Sequence, residues 1–208
     1  FAMHVKGMEI PGWGPRGTPG MSLAYMTADR GACHQRGFMI AYELGGEPFN
    51  GEAVPLEALD GKADILRSQQ DYLSGTDTLI KCDFGAMGVS AAAYAQMLTA
   101  ATGAVQEPRI FEHLGERIWN LTRLFNLREG MRTEDERLPE RATRSPLPGG
   151  PLKGKRVSRS DAAVMLADYY RARGWDASGQ PLPETLQRLS LSTSPTFRMP
   201  AGDAWQDQ

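Results

Sequence analysis

Cysteine is scarce in this chain. Of its 208 residues only Cys33 and Cys82 are cysteines, and neither has another cysteine nearby. Two such thiols make no disulfide framework, and they are too few for an iron–sulfur cluster, which usually takes four thiolates. The ordinary reading is two unpaired thiols; if either is a ligand, its companions lie outside the chain. Long apolar runs are missing as well, since no stretch approaches the roughly 18 to 20 residues of a membrane span. An excess of one charge is also lacking: 23 Lys and Arg against 25 Asp and Glu leave a net charge of −2. That balance argues against nucleic acid or an anionic membrane as a bulk partner. The opening FAMHVKGMEI carries neither the charged nor the apolar region of a signal peptide, so the cytoplasm is the expected location. Alternating apolar and polar residues of the strand type are absent, and no segment repeats at a fixed period. What remains is an all-α, multihelical expectation with long ordered loops, in a chain long enough to remove about 70% of its unfolded surface from water.

Glycine and proline are plentiful only where they break regular structure. Gly7, Pro11, Gly12, Gly14, Pro15, Gly17, Pro19 and Gly20 make the opening a turn-rich loop. Thr18 and Pro19 then read as a helix start, with the helix running to about Gly31. Leu56, Leu59, Ala63, Leu66 and Leu73 recur at helical spacing, which predicts a second helix across Gly61. Ser90 caps the alanine-rich AAAYAQMLTAAT, and Gly103 follows where a left-handed terminator belongs. From Pro108 to Asn126 the residues Ile110, Phe111, Leu114, Ile118, Leu121, Leu124 and Phe125 mark one apolar face of a long central helix. The passage MRTEDERLPERATRSPLPGGPLKGK has no period and reads as an extended surface segment. Ser158 and Asp161 form a capping-box start for AAVMLADYYRAR, closed by Gly174, and a short helix begins near Pro183 using Leu186 and Leu189. Five or six helices are expected.

Three short elements are candidates for chemistry. In GPRGTPG, Gly14 to Gly20, the glycines permit close backbone approach to a ligand and Arg16 offers a planar fork for an anion, although a plain turn is the readier account of them. In DRGACHQRG, Asp29 to Gly37, the cations Arg30 and Arg36 flank Cys33 and His34 just past a predicted helix end. Two guanidiniums suit phosphate groups, and an imidazole among cations has its charged form disfavoured. The ordinary alternative is a basic surface cluster. His4 and His113 carry less signal. In DTLIKCDF, Asp77 to Phe84, a carboxylate precedes a thiol by five residues. A helix sets those two side chains off a common face, whereas a turn brings both to one ligand. A helix-capping Asp77 with a buried Cys82 is the ordinary pair.

Taken together and in order, these elements resemble the aldehyde:ferredoxin oxidoreductase family. The stretch HVKGMEIPGWGPRGTPGMSLAYMTADRGACH is similar to the segment leading to that family's active-site histidine. The block ERIWNLTRLFNLREGM, then LPER, a proline–glycine segment and YYRARGWDASGQPLPETLQRLSL resemble its carboxy-terminal end, so the similarity runs from His4 to Leu191. In the family an amino-terminal β-rich domain and two helical domains enclose tungsten or molybdenum, held by two pterins, with one 4Fe-4S cluster nearby. The resemblance implies that His34 is the catalytic residue lining the substrate pocket and that Arg30 and Arg36 contact the pterin phosphates or their surroundings. It implies that Asp77 opens a pterin-binding motif with Lys81 and Asp83 as flanking contacts, and that Cys82 is the fourth cluster ligand. Where the family motif usually has glycine and leucine before that cysteine, this chain has Ile80 and Lys81. Where the family often reads DPRG, Gly14 precedes Pro15.

The same resemblance implies a division into a loop-rich active-site segment with one helix (1–55), a helical core bearing the cofactor and cluster motif (56–130), and an extended segment with carboxy-terminal helices (131–208). The β-rich domain, the three-cysteine motif, the first pterin motif and the catalytic glutamate lie upstream of the matching stretch. The chain is thus expected to be part of an enzyme oxidising aldehydes to carboxylates. Its expected partners are the missing amino-terminal domain and ferredoxin or another electron-transfer protein, and no cofactor is expected in the chain alone. Two alternatives accompany this reading: a relative with another substrate, such as an aromatic-ring or carboxylate reductase subunit, or a cofactor-free helical scaffold.

Overall fold

A computed structural model describes residues 2–86 and 88–191. Among the described residues are eight α-helices: α1 (Pro19–Thr27), α2 (Ile40–Glu43), α3 (Lys62–Asp77), α4 (Ala91–Thr102), α5 (Ile110–Arg128), α6 (Glu140–Arg144), α7 (Arg159–Arg173) and α8 (Pro183–Arg188). One small antiparallel hairpin precedes them, β1 (His4–Val5) against β2 (Met8–Glu9). The all-α architecture is as expected, with two more helices than the periodicity indicates. α2 and α6 are single turns of four and five residues, too short to show a period. The part of the third predicted segment beyond Leu191 lies outside the described residues.

The helix ends obey local chemistry. Ser90 Oγ accepts from the Ala93 amide at the start of α4, and Gly103 ends it with φ 74°. Ser158 and Asp161 exchange side-chain-to-backbone hydrogen bonds at the start of α7. Gly61, at φ 77°, begins α3 rather than lying inside a longer helix from Leu56. α1 is buried on every side, which hides any amphipathic signal. Its first amides, Gly20 and Met21, donate to the Glu43 carboxylate at 2.7 and 3.0 Å, and Lys62 pairs with that carboxylate at 3.0 Å. Burial still pushes the Glu43 carboxyl above its usual range.

The centre of the molecule is the crossing of α3 and α5. A Cβ on Gly115 would fall 1.6 Å from the Asp71 carbonyl oxygen, and one on Gly75 would fall 1.8 Å from that of Phe111, so the two backbones touch through glycine. This crossing turns α5. Its buried face is Phe111, Gly115, Trp119, Asn120 and Arg123, while Leu121 and Phe125 are exposed, so the predicted apolar face reaches the interior only at its start, with Phe111 buried and Ile110 packed beside it. The polar members of the buried face are all partnered: Trp119 donates to Tyr169 Oη at 2.8 Å, Asn120 accepts from Trp175 at 2.8 Å, and Arg123 holds Glu136 and the Gly179 carbonyl. One continuous core joins α1, α3, Trp119, Leu138, α7 and Trp175. The passage read as an extended surface segment therefore contributes to the interior, with Glu136, Leu138, Ala142 and Thr143 buried.

Candidate functional site

α1 stops at Thr27, four residues short of the expected end, because Ala28 takes an extended ψ of 138°. The loop that follows carries the first candidate cluster. Gly31 turns it at φ 104°, and His34–Arg36 make one 3-10 turn. Arg30 is exposed and donates through Nη2 to the Cys33 Sγ at 3.0 Å, while Cys33 itself is buried. His34 is half-buried, its ring 6.1 Å from that of Phe38, which meets Trp13 edge-on at 6.2 Å. Burial lowers the His34 pKa first and the Arg30 charge lowers it further. Arg36 takes no part in that effect, for it is turned the other way, with Nη1 2.9 Å from Asp77 Oδ2 and Nε 3.4 Å from Asp29 Oδ1.

The second cluster begins where α3 ends. Asp77 is the last residue of α3, so it caps no helix start; its carboxylate goes to Arg36 and its carbonyl accepts from the Ile80 amide at 2.9 Å. Ile80 sits in the left-handed region at φ 54°. Lys81 pairs with Asp83. Cys82 is exposed, not buried as the ordinary reading has it, and its thiol makes no hydrogen bond among the described residues. The ion pair Arg36–Asp77 thus draws together two stretches 41 residues apart, each carrying a candidate thiol or imidazole beside cations.

The third candidate is structural. Arg16 donates to the carbonyls of Ser145 and Pro146 at 3.3 and 3.4 Å, and a Cβ on Gly17 would strike Leu152 at 2.5 Å, so this glycine-rich turn is packed against protein. His4 accepts from the Gly7 amide inside the hairpin, and His113 is an exposed residue of α5. Sequence reasoning missed two residues that hold the root of the His34 loop: Lys6, whose Nζ binds the Met26 and Ala28 carbonyls, and Asn126, whose Nδ2 donates to the Asp29 carbonyl at 2.7 Å. No local pattern marks contacts 97 residues apart. Among the described residues no three His, Cys, Asp or Glu side chains are grouped to hold a metal ion, so Cys82 offers one ligand only.

The sequence pattern of aldehyde ferredoxin oxidoreductase, domains 2 and 3, matches residues 1–191. The chain belongs to the aldehyde ferredoxin oxidoreductase family. It is 38% identical over 193 residues to the tungsten-containing aldehyde ferredoxin oxidoreductase of Thermococcus kodakarensis, a match covering 92% of this chain and 31% of that protein. It is 34% identical over 204 residues to an aliphatic sulfonate oxidoreductase, WOR-like subunit, of Pyrococcus furiosus, covering 92% of this chain and 28% of that subunit. The BamBC active-site complex of benzoyl coenzyme A reductase, solved with 1,5 dienoyl-CoA, shares the fold with a TM-score of 0.53 at 24% identity, over 68% of this chain and 21% of that one. This family member therefore spans under a third of the length of the curated relatives it matches. No helix among its described residues is long and apolar enough to cross a membrane.

Proposed function

We propose that the chain is the carboxy-terminal part of a tungsten- or molybdenum-pterin, iron–sulfur oxidoreductase that oxidises aldehydes to carboxylates and passes electrons to ferredoxin or a similar carrier. The observation that carries this reading most is the Arg36–Asp77 ion pair at 2.9 Å, because contact between the His34 loop and the Cys82 segment supports reading them as parts of one site. The side chains suit the groups proposed. Cys82 presents an exposed thiol, fitting one donor of a four-iron cluster whose other ligands come from elsewhere. Arg30 has an exposed guanidinium with one amino group on Cys33, leaving donors for a pterin phosphate. Arg36, Asp77, Lys81 and Asp83 form two ion pairs whose remaining donors and acceptors suit a polar cofactor edge.

The metal–pterin group, when bound, supplies two-electron redox chemistry, and the cluster relays electrons singly. The chain's own contribution is at His34. A neutral imidazole donates a hydrogen bond to a substrate carbonyl oxygen from one nitrogen and accepts a proton at the other. Phe38 lies beside the ring and is itself backed by the edge-on Trp13.

The test uses the intact protein. Tungsten or molybdenum and iron should be present, aldehydes should reduce a redox dye, and His34→Ala should lower turnover by about two orders of magnitude with metal content unchanged. Cys82→Ala should abolish or alter the cluster's electron paramagnetic resonance. A protein free of both metals, or a His34→Ala form with wild-type turnover, would sink this reading. A relative acting on another substrate is the second reading, favoured by the 34% identity to the sulfonate oxidoreductase subunit. Dye reduction by alkanesulfonates and not by aldehydes would select it.

A further inference from the structure

Lys6 lies at the tip of the β1–β2 hairpin in a left-handed conformation, φ 49°, and its ammonium points inward. Nζ donates to the carbonyls of Met26 and Ala28 at 2.8 and 2.9 Å and pairs with Glu136 at 3.3 Å. All three ammonium protons are therefore used. Met26 and Ala28 belong to the end of α1, where carbonyls lose their helical partners and the helix dipole favours a cation. The residue after Ala28 is Asp29, so the anchor sits at the root of the loop carrying Arg30, Cys33 and His34.

Two other contacts hold the same root. Asn126 binds the Asp29 carbonyl from α5. Gly31 lies so close under the hairpin that a Cβ there would fall 2.7 Å from the Val5 carbonyl oxygen and 2.8 Å from the Met8 Cβ. The hairpin thus seats directly on the loop.

We propose that Lys6 is a positioning residue: by fixing the last carbonyls of α1 it sets where the Asp29–Gly37 loop leaves the helix, and through that the placement of Cys33 and His34. The placement stands on geometry alone, while its bearing on turnover rests on the role given to His34 above. Removing the ammonium leaves Glu136 still held by both amino groups of Arg123, so Lys6→Met is expected to fold.

The experiment compares the intact wild-type protein with Lys6→Met, Lys6→Arg and Lys6→Gln. Three quantities are followed: alkylation of Cys33 by iodoacetamide, amide hydrogen exchange over residues 28–37 with α7 as the internal reference, and steady-state kinetics with an aldehyde. In Lys6→Met, Cys33 alkylation and loop exchange should rise at least tenfold with α7 unchanged, and kcat should fall at nearly constant KM. Lys6→Arg, which keeps charge and donors, should recover most of both. Unchanged Cys33 reactivity and loop exchange in Lys6→Met would overturn the proposal, as would exchange that rises equally in α7, which marks general loosening. If Lys6→Met does not fold, Lys6→Gln, which keeps a donor, is judged by the same measures. A loosened loop with unchanged turnover upholds the positioning and counts against the His34 reading instead.

Discussion

Ile80 holds a backbone conformation that a β-branched residue seldom tolerates: φ is 54° and the side chain is 95% exposed. The left-handed region costs such a residue about 1–2 kcal/mol, and exposure leaves little packing to offset it. The motif that this segment resembles usually has glycine and leucine before the cysteine, where this chain has Ile80 and Lys81. Ile80→Gly should raise stability by about 0.5–1 kcal/mol after glycine's own entropy cost. Urea unfolding reads this directly, and a lower midpoint would mean the side chain makes a contact that matters. His34 gives a second test at this scale. Burial first and Arg30 second lower its pKa, so the folded protein binds this proton less readily than the unfolded chain. Its contribution to stability is present above the unfolded value of about 6.5 and is lost as pH falls from there through the folded pKa. The His34 ring-proton titration should have its midpoint below about 6.5, and Arg30→Met should raise it part of the way only, since burial remains. A midpoint that ignores Arg30 would show that the guanidinium is too well screened to matter.

The helix α5 shows what a helix pattern conveys and what it does not. Gly115 meets the α3 backbone so closely that an added methyl lies 1.6 Å from the Asp71 carbonyl oxygen. Gly115→Ala must part the two helices and should cost about 3 kcal/mol or more. Thermal unfolding checks it, and a shift near zero would show that the crossing is not the tight packing described. The ends of α4 and α7 were legible in the sequence, because Ser90, Gly103, Ser158, Asp161 and Gly174 act on backbone groups a few residues away, whereas the end of α1 and the start of α3 were not. The orientation of α5 was not, because a glycine contact and distant partners for Asn120 and Arg123 outweigh its apolar stripe. The candidate site divides the same way. Arg30 and Cys33 are three residues apart and their contact follows from a turn, whereas Arg36–Asp77 and Lys6–Ala28 join residues 41 and 22 apart, beyond the reach of any local pattern. Only the resemblance linked the two stretches beforehand, through whole motifs and not through any period.

Across the molecule, buried polar networks join distant stretches. Arg173 is fully buried and binds Asp71, Gln70 and Tyr169, while Tyr169 also bonds Trp119. Removing one partner leaves a buried charge without its counterpart, so Arg173→Met should cost about 3–5 kcal/mol. Pairing it with Asp71→Leu should recover part of that loss, and a double-mutant cycle in urea measures the coupling; additive losses would mean the pair is not the main contact. These links also impose an order of assembly. Lys6 and Glu136 are 130 residues apart and Asp71 and Arg173 are 102 apart, so neither pair can form until its later member has been made. At ribosomal rates of about 5–20 residues per second, the hairpin waits on the order of ten seconds for Glu136 to be made. Within this segment the stretch made before Glu136 is thus completed only after it, and until then the Lys6 ammonium lacks the carboxylate it pairs with in the folded protein.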